Sequence, residues 1–131
     1  MRQILYVSSK NPREPISVGA VLVTSRRNND AAGVTGLLYT DGDRFLQVLE
    51  GEADAVQTTF ARIKADPRHQ AVVVLADREI AQREFGSWAM AHRQANDEPD
   101  AFDARMERLL AGASDKVRGA FTGLIAARRA A

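Results

Sequence analysis

Residues 36–51, from Gly36 to Gly51, read GLLYTDGDRFLQVLEG, and this stretch decides the fold. Two runs of strand-forming residues flank Asp41-Gly42, the dipeptide that best tolerates the positive φ of a tight hairpin turn. A two-residue turn there pairs Thr40 with Asp43, Leu38 with Phe45 and Gly36 with Gln47. Side chains alternate with period 2, and opposed residues share a face. One face therefore carries Gly36, Leu38, Phe45, Gln47 and Leu49; the other carries Leu37, Tyr39, Leu46 and Val48. Gln47 is out of place among apolar residues, and Gly36 opposite it is expected to leave space. A buried amide without partners costs roughly 1–3 kcal/mol, so Gln47 needs a hydrogen-bonding partner. Either a neighbouring backbone group serves and Gly36 marks a bulge, or something else is held there.

Upstream, Ile4–Ser8 reads as a short strand with Ile4, Tyr6 and Ser8 on one side. A helix is expected to start near Pro15, where the missing N–H costs nothing. Val18, Val21, Leu22 and Ser25 share one of its faces, and it ends in Arg26-Arg27-Asn28-Asn29. Gly19 and several β-branched residues give it little intrinsic propensity, so packing must hold it.

Downstream, Glu52 and Asp54 suit the first turn of a second helix with the stripe Ala53, Val56, Phe60, Ile63. Pro67 biases Asp66 out of the helical region and ends it. Val72–Ala76 is a continuous apolar strand, Asp77–Glu84 a charged segment and Trp88-Ala89-Met90 a short last strand. The resulting fold class is α+β: a ferredoxin-like β-α-β-β-α-β sheet with an extra fifth strand and two helices on one face.

The other face carries Leu5, Val7, Leu37, Leu46 and Val48 and also needs a cover. Pro99–Leu110, with Phe102, Met106, Leu109 and Leu110, stops at Gly112. Ser114 then caps a helix bearing Val117, Phe121, Leu124 and Ile125. The expected organisation is a domain over residues 1–95, followed by a helical hairpin over 96–131. That hairpin packs on the back of the sheet or at a subunit interface.

Composition excludes several classes of function. The chain has 131 residues and no cysteine, so disulfides, thiolate chemistry and iron–sulfur clusters are out. No apolar run reaches the ~18 residues of a membrane span, and no signal peptide is seen, so a cytoplasmic protein is expected. A net charge of +1 makes no electrostatic case for nucleic acid. Arg118, Arg128 and Arg129 read as a solvated helix face.

Catalytic constellations are thin. His69 and His92 lack metal-ligand spacing, and neither a phosphate-binding glycine loop nor a nucleophile elbow occurs. Glu50 reads as an exposed residue or a helper at the next helix start. The polar side chains that converge are Tyr6, Ser25, Asn28, Asn29 and Gln47. These are neutral hydrogen-bonding groups, suited to holding a planar heteroaromatic ring rather than to hydrolysis.

The chain resembles the BLUF family, the blue-light sensors using FAD. The resemblance rests on the tyrosine in ILYVSS, on RNNDAAGVTGLL, FLQVLEGE, IKADPRHQ and FGSWAM, in the family's order and spacing, over residues 1 to about 92. It implies the ferredoxin-like plan and an FAD cofactor. It makes Tyr6 the photoactive tyrosine and Gln47 the switching glutamine between Tyr6 and the flavin. Asn29, assisted by Asn28, would hold the pyrimidine edge of the ring, and Val21 and Ile63 would sandwich it. Asp66, Arg68 and His69 match positions lining the ribityl and outer rim. Trp88 and Met90 match strand-5 positions through which the signal leaves, and Ser25 can bond to that region. Asn28 stands where some members carry His, and Gly19 is a weak point particular to this helix.

The resemblance further implies a photosensor that turns over no substrate. Excitation of the flavin draws an electron and a proton from Tyr6, and recombination leaves Gln47 rearranged by rotation, tautomerisation or both. Output is expected to pass to a downstream protein partner or another subunit of a homo-oligomer, with no membrane or direct nucleic-acid contact. Two rivals share the scaffold: a light-independent ligand-binding or dimerisation module, and an enzyme such as an isomerase or acylphosphatase-like hydrolase.

Overall fold

The computed structural model describes residues 1–11, 32–40, 44–67, 69–85, 89–92, 104, 106–108 and 110–130. Five strands form one sheet: β1 (Arg2–Lys10), β2 (Thr35–Thr40), β3 (Arg44–Gly51), β4 (His69–Glu79) and β5 (Ala89–His92). Two helices complete the described elements, α1 (Ala53–Ala65) and α2 (Asp115–Ala130). Residues 104, 106–108 and 110 are helical as well.

The strand order is β4-β1-β3-β2-β5. β1 runs antiparallel to both β3 and β4, β2 antiparallel to β3, and β5 parallel to β2. β1 and β2 are thus parallel with β3 inserted between them, the split β-α-β arrangement of the ferredoxin-like plan. The first helix expected from the sequence, with Val21, Ser25, Asn28 and Asn29, lies outside the described residues. Ala32 is helical, and Gly33 follows with φ of 68°, the left-handed conformation that stops a helix cheaply when the residue is glycine.

The hairpin register differs from the expected one. Thr40 pairs with Phe45, Leu38 with Gln47 and Gly36 with Leu49, so among the described residues the register is shifted by two along β3. The slip is even, and an even slip keeps every side chain on its expected face. Gly36 therefore does not face Gln47. Nor does it leave space: a Cβ there would stand 1.9 Å from the Val48 carbonyl oxygen. The absent side chain lets two backbones approach.

Both faces of the sheet are buried along β1, β2 and β3. On one, Ile4, Tyr6, Val34 and Leu49 pack with Val56 and Phe60 of α1, and Ile63 lies partly buried against them. Ala53 departs from its expected stripe and is exposed; Ala55 packs in its place. On the other face, Leu5, Leu37, Tyr39, Leu46 and Val48 form one cluster with Phe85, Met106, Leu110, Ala113, Val117 and Phe121. The C-terminal helical residues therefore cover the back of the sheet. Ser114 caps α2, its Oγ accepting from the Val117 N–H at 3.4 Å. Phe102 lies outside the described residues.

β4 is longer than the apolar run that announced it, extending through Asp77-Arg78-Glu79, because its pairing with β1 continues to Arg2–Glu79. It is an edge strand, and Val73, Val74 and Leu75 are 52, 45 and 38% exposed. Two register shifts interrupt its pairing with β1, and Ala71 takes a φ of 53°. Such irregularities bend an edge and hinder further strand addition.

Candidate functional site

Tyr6 and Gln47 are opposed residues of the β1–β3 ladder, on the face covered by α1. Opposed side chains on an antiparallel pair stand close enough to touch, and here they do. The Tyr6 hydroxyl donates to Gln47 Oε1, and both side chains are at most 2% exposed. The Phe60 ring lies tilted against the Tyr6 ring with centroids 5.3 Å apart, and the Lys64 ammonium sits over Phe60 at 5.0 Å. Burial, and then the nearby charge of Asp66, push the Tyr6 hydroxyl well above its ordinary range. Tyr6 thus keeps its proton at any working pH and serves as a donor.

Among the described residues, Gln47 Nε2 has no hydrogen-bond partner, and it is buried. An orphaned amide donor costs about 1–3 kcal/mol, and a primary amide has one acceptor and two donors to satisfy. With the oxygen committed to Tyr6, the donor end calls for an acceptor such as a ring carbonyl or ring nitrogen. The Thr59 hydroxyl, buried on α1, also lacks a partner among the described residues. The residues present therefore fit a group that carries hydrogen-bond acceptors.

Asp66 stands at the C-terminus of α1, where its own N–H bonds to the Ile63 carbonyl at 3.1 Å. It is half-buried, and its charge reaches Tyr6. His69 opens β4 opposite Lys10, and Met90 is placed by its backbone beside Leu38 of β2. Asn28, Asn29, Val21, Ser25, Arg68 and Trp88 lie outside the described residues. The structure thus brings together Tyr6, Gln47, Ile63 and Asp66. One row of registered residues, Met90, Leu38, Gln47, Tyr6 and Val74, crosses all five strands.

Sequence reasoning missed a polar cluster at the other end of the ladder. Glu50, expected to be exposed, is fully buried on the back face opposite Gln3. Gln3 Nε2 donates to Glu50 Oε2 at 3.1 Å and to Glu84 Oε2 at 3.0 Å. The Glu84 N–H donates to Glu50 Oε2 at 3.0 Å, and the Phe85 N–H donates to Glu50 Oε1. Desolvation raises the Glu50 carboxyl above its ordinary range, outweighing these donors. The signal was present: Gln3 and Glu50 each continue an otherwise apolar period-2 stripe, Leu5-Val7 and Leu46-Val48. A charge at such a position is buried with partners or is not there. Phe60 was legible as core, but not its contact with Tyr6.

Among the described residues no group of three or more His, Cys, Asp or Glu is arranged to hold a metal ion, and no helix is long and apolar enough to cross a membrane.

Comparison with known proteins gives a consistent result. The family model described as BLUF, sensors of blue-light using FAD, matches residues 1–91. The beta subunit of photoactivated adenylate cyclase from Euglena longa is 36% identical over 93 residues, which are 69% of this chain and 11% of that protein. The chain thus spans about a tenth of the length of that relative. Among solved structures, the Klebsiella pneumoniae BlrP1 manganese and cyclic-diGMP complex superposes with a TM-score of 0.78 at 29% identity, covering 95% of this chain and 32% of that one. The dark-state structure of BlrB, a BLUF protein, gives 0.67 at 31% identity, covering 85% of each chain.

Proposed function

This chain belongs to the BLUF family, the flavin-based sensors of blue light, and we propose that its light response is a rearrangement of Gln47 driven by Tyr6. The observation that carries the reading is the buried Tyr6–Gln47 hydrogen bond with an orphaned Nε2 on the same amide. FAD is the flavin we assign, and it would be held between α1 and the helix expected to start near Pro15. Asn29 and Asn28 take the pyrimidine edge, Val21 and Ile63 flank the ring, and Asp66, Arg68 and His69 line the outer rim. When bound, flavin supplies blue-light absorption and a one-electron acceptor.

The rest is work for this chain's own side chains. Tyr6 holds its O–H proton against Gln47 Oε1 in the dark, as its burial requires. On illumination Tyr6 would give an electron to the bound flavin and that proton to its hydrogen-bond acceptor, Gln47 Oε1, and then recover both. The Gln47 amide ends exchanged, by rotation, tautomerisation or both, with a different end facing the pocket. An amide offers a donor at one end and an acceptor at the other, so the exchange alters the pocket's hydrogen bonds without moving its occupant. A stronger hydrogen bond from Gln47 to a bound flavin would red-shift its absorption.

Output then leaves through strand β5. Met90 lies beside Leu38, which is opposite Gln47, and this backbone continuity supports the route. Trp88 and Ser25 belong to the same path. The segment 1–95 acts as the sensor and 96–131 as its helical cover, in a cytoplasmic protein that turns over no substrate on these residues. It signals to a protein partner or a second subunit. The deciding experiment is the absorption spectrum of the purified protein in darkness and under blue light. Oxidised-flavin bands that shift reversibly to the red are expected. A colourless protein that cannot be reconstituted with flavin sinks the proposal.

A further inference from the structure

We propose that Glu50 and Glu84 form a latch that seats the start of α2 on the sheet and passes movement of β3 to that helix. The proposal rests on the reading that Gln47 rearranges under light, but the latch itself is a dark-state property.

Glu50 lies three residues beyond Gln47 in β3 and on the opposite face. Its two carboxylate oxygens accept the N–H groups of Glu84 and Phe85, so displacement of β3 moves that backbone. Phe85 is buried in the cluster that holds Met106, Leu110, Val117 and Phe121. Glu84 completes the connection. Its Oε2 accepts from the Ser114 N–H at 3.2 Å, one of the amides at the start of α2 without a partner inside the helix. A carboxylate there also complements the positive end of the helix dipole.

The rest of the latch holds Glu84 in place. Gln3 Nε2 bridges Glu84 and Glu50, and Arg78 donates from Nε to Gln3 Oε1 at 3.0 Å and from Nη2 to Glu84 Oε1. Arg83 ties the same loop to the sheet, bonding Thr35 Oγ1 at 2.7 Å, the Glu50 carbonyl at 3.1 Å and the Gly33 carbonyl at 2.8 Å. A Cβ on Gly112 would stand 3.2 Å from the Glu84 carbonyl oxygen, so the turn before α2 rests directly on this loop. Charge-assisted bonds in a part-buried network constrain position, which suits them to transmit a small displacement.

The test is hydrogen exchange of peptides covering residues 112–121 in the flavin-loaded full chain, in darkness and under blue light, with absorption spectra recorded on each sample. Glu84→Ala is expected to speed dark exchange there by about tenfold and to remove more than about half of the light-dependent change. Its dark spectrum and red shift should match wild type. Glu84→Gln, which keeps one acceptor oxygen, should fall between. Arg78→Met, at the exposed end, should loosen the same peptides less. These two variants carry the test if Glu84→Ala does not fold. Dark exchange at the wild-type rate in all three overturns the latch. Faster dark exchange with the full light-dependent change retained overturns transmission through it. A wild-type protein without a red shift overturns the light-sensor reading instead, and dark exchange still judges the latch.

Discussion

Tyr6 and Gln47 are directly opposed across the β1–β3 ladder, so the hydrogen bond between them is set by backbone pairing rather than by a mobile loop. Strands place side chains more precisely than loops, and a switch that depends on exchanging the ends of one amide needs that precision. Tyr6→Phe removes the donor while keeping the ring against Phe60; Gln47→Leu removes the amide while keeping its volume. Each variant should bind flavin and lose the normal photoproduct. Difference spectra recorded under blue light check this. A normal reversible red shift in either variant would end the assignment.

Gly36→Ala should be costly for a reason unrelated to φ. The new Cβ would meet the Val48 carbonyl oxygen, a backbone atom that cannot swing aside. Overpacking of this kind costs about 1–3 kcal/mol, and here β2 and β3 would have to separate. Urea unfolding should show a lower midpoint, equivalent to a loss of stability of that size. An unchanged midpoint would mean that the strands do not approach this closely.

Glu50 makes stability depend on pH with a definite sign. Its carboxyl is raised by desolvation, so the folded state binds the proton more readily than the unfolded chain. The associated stabilisation is full below the ordinary carboxyl value of about 4.3 and is lost as pH rises through the raised value. Glu50→Gln should flatten this part of the profile. Urea midpoints of wild type and variant, measured from mildly acidic to neutral pH, should converge or diverge accordingly. Parallel profiles would show that Glu50 does not titrate differently on folding.

Met90→Ala tests the output route. Met90 pairs with Leu38, and Leu38 with Gln47, so β5 is two strands from the proposed switch. The variant should keep its red shift and show smaller light-induced changes in hydrogen exchange over residues 95–131. Equal light-dependent exchange in variant and wild type removes Met90 from the route.

Much of this was legible in the chain itself. Period-2 alternation in β1, β2 and β3 assigned Tyr6 and Gln47 to one face and Leu5, Leu37 and Val48 to the other, because side-chain direction in a strand depends only on parity. Val56, Phe60, Val117 and Phe121 announced the two covering layers in the same way, through helical spacing. Parity could not decide register. A slip of two residues leaves every face unchanged, so only the packed ladder distinguishes Gly36–Leu49 from Gly36–Gln47. The exposure of Val73, Val74 and Leu75 was equally invisible, since an apolar run does not reveal whether its strand lies at the edge or the centre of a sheet. Glu50 was misread because its partners, Gln3, Glu84 and the Phe85 amide, come from distant parts of the chain. A buried charge is tolerable only where such groups converge, and convergence is a property of the assembled fold.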